Sequence, residues 1–172
     1  INTCSVTSIS DRKSSQIIRR AKKENPDSIV IATGCYAQVA PNEVLAIDDV
    51  NLIIGTNDRN RIVDMAESIK PTDKKSLVGD ILKMHTFEEM KVSDYEHMTR
   101  AYIKIQEGCN QFCTYCIIPY ARGPIRSRDP EEVVKEAQRL ADDGFSEIIL
   151  VGIHIASYGL DTKNTSLADI IR

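Results

Sequence analysis

The chain has 172 residues, with 22 Lys and Arg against 25 Asp and Glu and a formal net charge of −3. That balance excludes a basic field over the whole chain, so any nucleic-acid contact must be local or supplied by other parts. No apolar run is long enough to span a bilayer, and no secretory or transit-peptide composition is present. The length suffices for one good core or two small ones. There is no internal repeat and no low-complexity tract.

Residues 11–25 read as a helix, with Ile17, Ile18 and Ala21 as a narrow apolar face and Lys and Arg over much of the rest. Asn25-Pro26-Asp27 stops it. Residues 29–32 are a short apolar run of buried-strand type that ends at Gly34. A second helix follows Pro41 through Val44, Leu45 and Ile47. Leu52-Ile53-Ile54 is the next strand, closed by Gly55. Residues 58–69 read as a third helix with Ile62, Val63, Ala66 and Ile69 inward. Strands alternating with helices predict a parallel sheet covered by helices, so residues 1–70 are expected to be one α/β domain.

Over residues 71–99 the periodicity fades. Pro71, Asp73, Lys74, Lys75, Gly79 and Asp80 are linker-like, and residues 78–84 admit one more strand. His85 and His97 lie here without spaced partners and read as surface or linker side chains.

A second α/β unit is expected over residues 100–172. Residues 101–105 alternate weakly and run into a cysteine-bearing loop. Asp129 then reads as a helix N-cap, with Pro130 at N1 and Glu131 and Glu132 in the electropositive first turn. Val133, Val134, Ala137, Leu140 and Ala141 share a face, and Gly144 takes the C′ position. Residues 148–152 are a buried strand, and a further helix opens near Ser166. This is a βαβ unit, with the cysteine loop at the C-terminal end of a parallel strand, where parallel barrels build their active sites.

That loop reads Cys109-Asn110-Gln111-Phe112-Cys113-Thr114-Tyr115-Cys116, three thiols at a C-x3-C-x2-C spacing. Thiolates are the usual ligands of iron–sulfur clusters. Three of them can hold three corners of a four-iron cube and leave the fourth iron open to a small molecule. A structural zinc site wants four ligands, commonly two C-x2-C pairs, and no second pair exists. Disulfides suit small secreted chains with even cysteine counts; this chain has five Cys. Inert buried cysteines are the remaining alternative.

The loop resembles the C-x3-C-aromatic-x-C signature of radical S-adenosylmethionine (SAM) enzymes, with Tyr115 in the aromatic slot. Its flanks resemble the methylthiotransferase subfamily: Ile105-Gln106-Glu107-Gly108 before it, and the run from Ile117-Ile118-Pro119 through Arg122 and Arg126 to Arg128 after it. So do Asn2-Thr3-Cys4 and Thr33-Gly34-Cys35-Tyr36-Ala37-Gln38. The resemblance implies an α/β chain: an N-terminal parallel-sheet domain, then the start of a partial (βα)6 barrel. It implies a SAM-binding 4Fe-4S cluster on Cys109, Cys113 and Cys116. In the family a second cluster is held by three N-terminal cysteines. Cys4 and Cys35 match two of these, and the first is expected upstream of Ile1. Ordinary buried thiols remain the alternative for that pair. On this reading the chain is cut at both ends, with further barrel strands and a small RNA-binding domain expected beyond Arg172.

The chemistry implied by the resemblance is reductive cleavage of SAM to a deoxyadenosyl radical, hydrogen abstraction from substrate, sulfur delivery from the second cluster and methylation by a second SAM. Tyr115 is then expected near the SAM adenine, or simply as a shield against water. Gly152 falls where the family reads the SAM amino group, although Val151-Gly152-Ile153-His154 departs from the common Gly-Gly-Glu form. His154 is equally expected to be structural. Arg122, Arg126 and Arg128 are expected to face SAM carboxylate, RNA phosphate or a substrate carbonyl, Arg126 being assigned to SAM, or else to be salt-bridged. Three stretches favour the threonylcarbamoyl-adenosine tRNA type: Asp11-Arg12-Lys13-Ser14, Gly55-Thr56-Asn57-Asp58-Arg59 and the run from Gly152-Ile153-His154 to Ser157-Tyr158-Gly159. Isopentenyl-adenosine tRNA, a ribosomal-protein aspartate or a non-catalytic iron–sulfur fragment are the alternatives. tRNA, an electron donor and a cytoplasmic location, without a membrane, are the implied partners and place.

Overall fold

The computed structural model describes every residue except Val6, residues 91–98 and Asn164, so His97 lies outside the described residues. The chain divides into two compact units. One is Ile1–Leu82 with Cys113–Arg122; the other is Lys83–Phe112 with Gly123–Arg172.

The first unit runs β1 (Asn2–Thr3), α1 (Ser8–Glu24), β2 (Ile31–Gly34), α2 (Cys35–Val39), α3 (Pro41–Leu45), β3 (Leu52–Ile54), α4 (Ile62–Ser68) and β4 (Lys75–Leu77), and later adds α5 (Ile118–Arg122). Its four strands are parallel in the order β1-β2-β3-β4. The alternation of strand and helix predicted this sheet. Central strand β3 shows why it is stable. Ile53 points into a cluster with Ile18, Val30, Ala32, Val44 and Val50, while Leu52 and Ile54 join Ile69 on the other face. A strand of a helix-covered parallel sheet is buried on both faces, which is why β3 is all apolar rather than alternating.

Several boundaries differ from expectation. Helix α1 opens at Ser8, three residues earlier, because the Thr7 hydroxyl caps it by accepting from the Ser10 amide at 3.2 Å. Ile17 faces solvent; Ser14 and Ile18 are the buried face. In α4, Val63 is exposed and Met65 turns inward with Ile62 and Ile69. The strand admitted over residues 78–84 is absent there; residues 81–83 form a 3-10 turn. The fourth strand is instead Lys75–Leu77, a polar, exposed edge strand with little apolar signal.

The second unit contains β5 (Ala101–Glu107), β6 (Arg126–Ser127), α6 (Pro130–Asp142), β7 (Ile148–Gly152) and α7 (Leu167–Ile171). Strand β5 is central, antiparallel to β6 and parallel to β7, with Ala101 opposite Ile148 and Ile103 opposite Leu150. Ala101, Ile103, Ile105, Val133, Leu140 and Tyr158 form its core. Asp129 caps α6 as its sequence predicted, accepting from the amides of Glu131 at 2.9 Å and Glu132 at 3.3 Å. Val133, Ala137 and Leu140 face inward. Val134 and Ala141, expected on that face, are exposed, so the apolar stripe is narrower than the sequence implies. Strand β7 is only half-buried, and Gly152 is exposed. Ser166 and Asp169 form a capping box at the start of α7.

Candidate functional site

In the second unit the site is organised by a residue with no charge. Gln106 is fully buried at the C-terminal end of β5. Its amide Nε2 donates to the carbonyls of Glu107 at 2.8 Å and Gly108 at 2.7 Å, and its Oε1 accepts from the His154 amide at 2.8 Å. One carboxamide thus ties the start of the cysteine loop to the end of β7. Gly152 makes room for it: a Cβ there would lie 2.9 Å from both Gln106 Cβ and Oε1. Glycine is therefore required at 152 by close packing, whatever else approaches it.

The base of the loop is closed next. Gly108 has φ +74, and a Cβ on it would sit 1.9 Å from the Pro124 carbonyl oxygen. The Cys109 amide donates to the Gly123 carbonyl at 3.0 Å, and the Ile125 amide donates to Asn110 Oδ1 at 3.0 Å. Cys109 is half-buried. Beyond this closure, Asp161 accepts from the amide of Ser127 at 2.9 Å and from its hydroxyl at 2.5 Å, which fixes β6.

The arginines divide by role. Arg128 is 4% exposed. It is bonded to both carboxylate oxygens of Glu89 through Nε and to Glu136 through Nη1, a buried salt bridge to two carboxylates. Burial disfavours its charge, yet the two carboxylates hold its pKa above the ordinary value. Arg126 is buried and donates to the Met84 carbonyl at 3.4 Å. His154 pairs its Nδ1 with the Ser157 hydroxyl.

In the first unit, strand register brings two cysteines together. Thr3 lies opposite Gly34, so Cys4 and Cys35 are the next residues beyond two paired, parallel strands. The turn between β2 and α2 is tight: Gly34 has φ +102, and a Cβ would fall 2.3 Å from the Thr3 carbonyl oxygen. The Thr3 hydroxyl donates to the Thr33 carbonyl at 2.6 Å and accepts from the Ala37 amide at 3.2 Å, which locks the first turn of α2 beneath Cys35. Cys4 is exposed and Cys35 buried. The Arg122 Nε donates to Cys35 Sγ at 3.2 Å.

Gln38 repeats the device seen at Gln106. Its Oε1 accepts from the Thr56 amide at 3.0 Å, its Nε2 donates to the Gly79 carbonyl at 3.0 Å, and a Cβ on Gly55 would lie 2.1 Å from that Oε1. Thr56 in turn donates its hydroxyl to the Ala121 carbonyl at 2.7 Å, anchoring α5. Cys113 and Cys116 belong to this unit, and the Cys116 amide donates to the Cys113 carbonyl at 2.9 Å. Tyr115, between them, is 90% exposed. Tyr36 is buried with its hydroxyl on Glu43, and burial followed by that carboxylate raises its pKa.

All five thiols are free. Among the described residues no three His, Cys, Asp or Glu side chains converge on one metal-sized point. The donor set nevertheless fits an iron–sulfur cluster chemically: sulfur ligands, a loop closed at its base, and partial exposure that leaves the thiols reachable. No helix among the described residues is long and apolar enough to cross a membrane.

Residues 103–165 match the model of the radical SAM superfamily, and residues 1–55 match that of uncharacterized protein family UPF0004. Threonylcarbamoyladenosine tRNA methylthiotransferase MtaB of Bacillus subtilis is 48% identical over 172 residues, covering 99% of this chain and 38% of that protein. The chain belongs to the radical SAM methylthiotransferase family. The enzyme of the same name from Aquifex aeolicus is 43% identical over 162 residues, covering 94% of this chain and 40% of its own length. The tRNA-2-methylthio-N(6)-dimethylallyladenosine synthase of Dictyoglomus thermophilum is 35% identical over 175 residues, covering 99% and 40%. The chain thus spans about two fifths of the length of these relatives, 38% to 40%. Sequence reasoning singled out Cys109, Cys113 and Cys116 by spacing and Cys4 and Cys35 by resemblance; it quoted Gln38 and Gln106 within the motif runs without their structural role, and it missed the Arg122–Cys35 contact. The role of each glutamine has no local signal beyond a polar residue near a glycine within a motif run.

Proposed function

We propose that this chain supplies the cluster-binding part of an enzyme that inserts a methylthio group into threonylcarbamoyl-adenosine beside the tRNA anticodon. The observation that carries this reading is the register of β1 and β2, which sets Cys4 beside Cys35. Methylthio transfer needs a second sulfur-bearing centre, and a second thiol pair is what such a centre would use. The names of the relatives from Bacillus and Aquifex support the choice of nucleoside.

In this reading Cys109, Cys113 and Cys116 hold the SAM-binding 4Fe-4S cluster, and Cys4 and Cys35 contribute to the auxiliary one. When bound, the first cluster supplies the electron that cleaves the SAM sulfonium. The protein's own residues orient and shield. Gln106 fixes the carbonyls of Glu107 and Gly108, and so the approach of the loop to Cys109. Tyr115 covers the SAM adenine, Gly152 leaves the space beside β7 clear, and Arg126 offers a cation toward the SAM carboxylate. An adenosine in an anticodon loop is unpaired, which suits recognition as a single-stranded base that can be splayed out. An electron donor and a cytoplasmic setting complete the reading, with residues 1–70 and 100–172 as its two domains and 71–99 between them.

The test is anaerobic reconstitution with iron and sulfide, then reduction in the presence of SAM, for the chain and its Cys113→Ala variant. Deoxyadenosine from the parent alone supports the reading. Incubation with an anticodon stem–loop carrying threonylcarbamoyl-adenosine, against one carrying isopentenyl-adenosine, then assigns the substrate by the mass of the methylthio product. Equal iron content and equal visible absorption in parent and variant overturn the ligand assignment.

A further inference from the structure

We infer that Arg122 is a positioning residue for the Cys35 sulfur, so that the arm following the SAM-cluster cysteines tunes the auxiliary cluster. The inference rests on the reading of Cys4 and Cys35 as ligands. Three observations within the first unit support it. The Arg122 Nε lies 3.2 Å from Cys35 Sγ, with the N–H of the planar guanidinium directed at sulfur. The residue before it is immobilised: Ala121 is fully buried, and its carbonyl accepts from the Thr56 hydroxyl at 2.7 Å. Cys35 opens α2 behind the tight turn at Gly34, and that helix is pinned through Ala37 to Thr3. Both partners of the N–H···S contact are therefore held by backbone anchors, and the contact does not rely on a freely rotating surface arginine.

The chemistry gives the sign. One-electron reduction adds negative charge to a cluster, and part of that charge resides on the ligand sulfurs. A cationic N–H donor on such a sulfur stabilises the reduced form more than the oxidised one and raises the potential. Removing the donor lowers it. Lysine restores charge but not the planar fork that directs Nε, so it recovers only part of the effect. Arg122 lies six positions after Cys116. The same segment therefore carries a ligand of one centre and a donor to the other.

The experiment isolates the second centre by changing Cys109, Cys113 and Cys116 to Ser and reconstituting with ferrous iron and sulfide under argon. Iron content, visible absorption, electron paramagnetic resonance and the midpoint potential are then compared for Arg122, Arg122→Lys and Arg122→Met. Circular dichroism checks that each variant is folded. The expected result is a shift to lower potential with altered g values in Arg122→Met and a smaller shift in Arg122→Lys. Loss of iron from a folded Arg122→Met, with iron retained by Arg122→Lys, supports the same role. An unchanged potential and spectrum in Arg122→Met overturns the inference. If Arg122→Met does not fold, a potential in Arg122→Lys equal to the parent's overturns it. Iron content and spectrum that do not change when Cys35 is also replaced by Ser in the triple serine chain overturn the ligand reading itself, a separate outcome.

Discussion

Replacing Gly152 by Ala tests whether the cysteine loop is held by Gln106. The new Cβ would stand 2.9 Å from Gln106 Cβ and Oε1 and 3.3 Å from its backbone oxygen. Carbon atoms prefer about 3.5–4.0 Å, and Gln106 Cβ sits on the strand itself and cannot rotate away. Either β5 and β7 part, or the carboxamide leaves its pocket. Overpacking of this kind costs about 1–3 kcal/mol. Displacing the amide strands the Glu107 and Gly108 carbonyls and the His154 amide, at about 1–3 kcal/mol for each group that water does not reach. We expect about 2–4 kcal/mol in all, which speeds amide exchange by roughly 30- to 1,000-fold where opening is local. Hydrogen exchange read by mass spectrometry should show this in peptides covering 101–107 and 148–152, with 31–34 and 52–54 unchanged. In a Gln106→Ala background only the contacts to Cβ and the backbone oxygen remain, so the added cost should fall to about 1 kcal/mol. Exchange like the parent's, or an equal cost in both backgrounds, would refute the reasoning.

The matching change in the first unit is Gly55→Ala. Its Cβ would lie 2.1 Å from Gln38 Oε1, so protection in peptides 31–34 and 52–54 should fall by about 2–4 kcal/mol while 101–107 is unaffected. Arg128→Met leaves Glu136, whose side chain is 10% exposed, with only the longer pair to Arg139 at 3.8 Å; we expect a loss of up to about 3 kcal/mol in urea unfolding followed at α6. Asp169 accepts from the hydroxyl and amide of Ser166, and these bonds lower its pKa. A depressed carboxylate contributes stability above its unfolded value and loses it as pH falls through the folded one. Helix α7 should therefore fray only under strongly acidic conditions, and a carboxyl chemical-shift titration that places Asp169 at or above an ordinary aspartate would contradict this.

The sequence was legible where one physical cause dominated. Leu52-Ile53-Ile54 is a strand buried on both faces, and its limits were read to the residue. Asp129-Pro130 and Gly144 mark both ends of α6 because caps are local chemistry. Helix α2 escaped notice because five residues carry no period. Helix faces were read too wide: Ile17, Val63 and Val134 sit within reach of an apolar stripe but face solvent, since burial is decided by what packs opposite. The three loop cysteines were singled out by spacing along the chain, and Cys4 and Cys35 by the resemblance of their flanks. The donor to one of them was not, because Arg122 and Cys35 are 87 residues apart and nothing local to either encodes the contact.

Gln38 and Gln106 show why a carboxamide is used at these strand ends, and a comparison of Gln→Glu variants decides the point. A carboxamide provides two donors and an acceptor at once, whereas a carboxylate only accepts. In Gln106→Glu, both donor bonds, to Glu107 and Gly108, become oxygen facing oxygen at 2.8 and 2.7 Å. In Gln38→Glu only the bond to Gly79 is lost, because the Thr56 amide still has its acceptor. Burial and facing carbonyls raise the pKa of either new carboxyl. A raised folded pKa gives stability that is present below the unfolded value and lost as pH rises through the folded one. Protonation restores one donor, which is all that Gln38 uses and half of what Gln106 uses. Acidification should thus return the Gln38→Glu variant to the parent's exchange rates in peptides 31–34 and 52–54, while Gln106→Glu recovers only part of its protection over 101–107. Equal recovery at both sites would mean that the second donor of Gln106 contributes nothing to holding the cysteine loop.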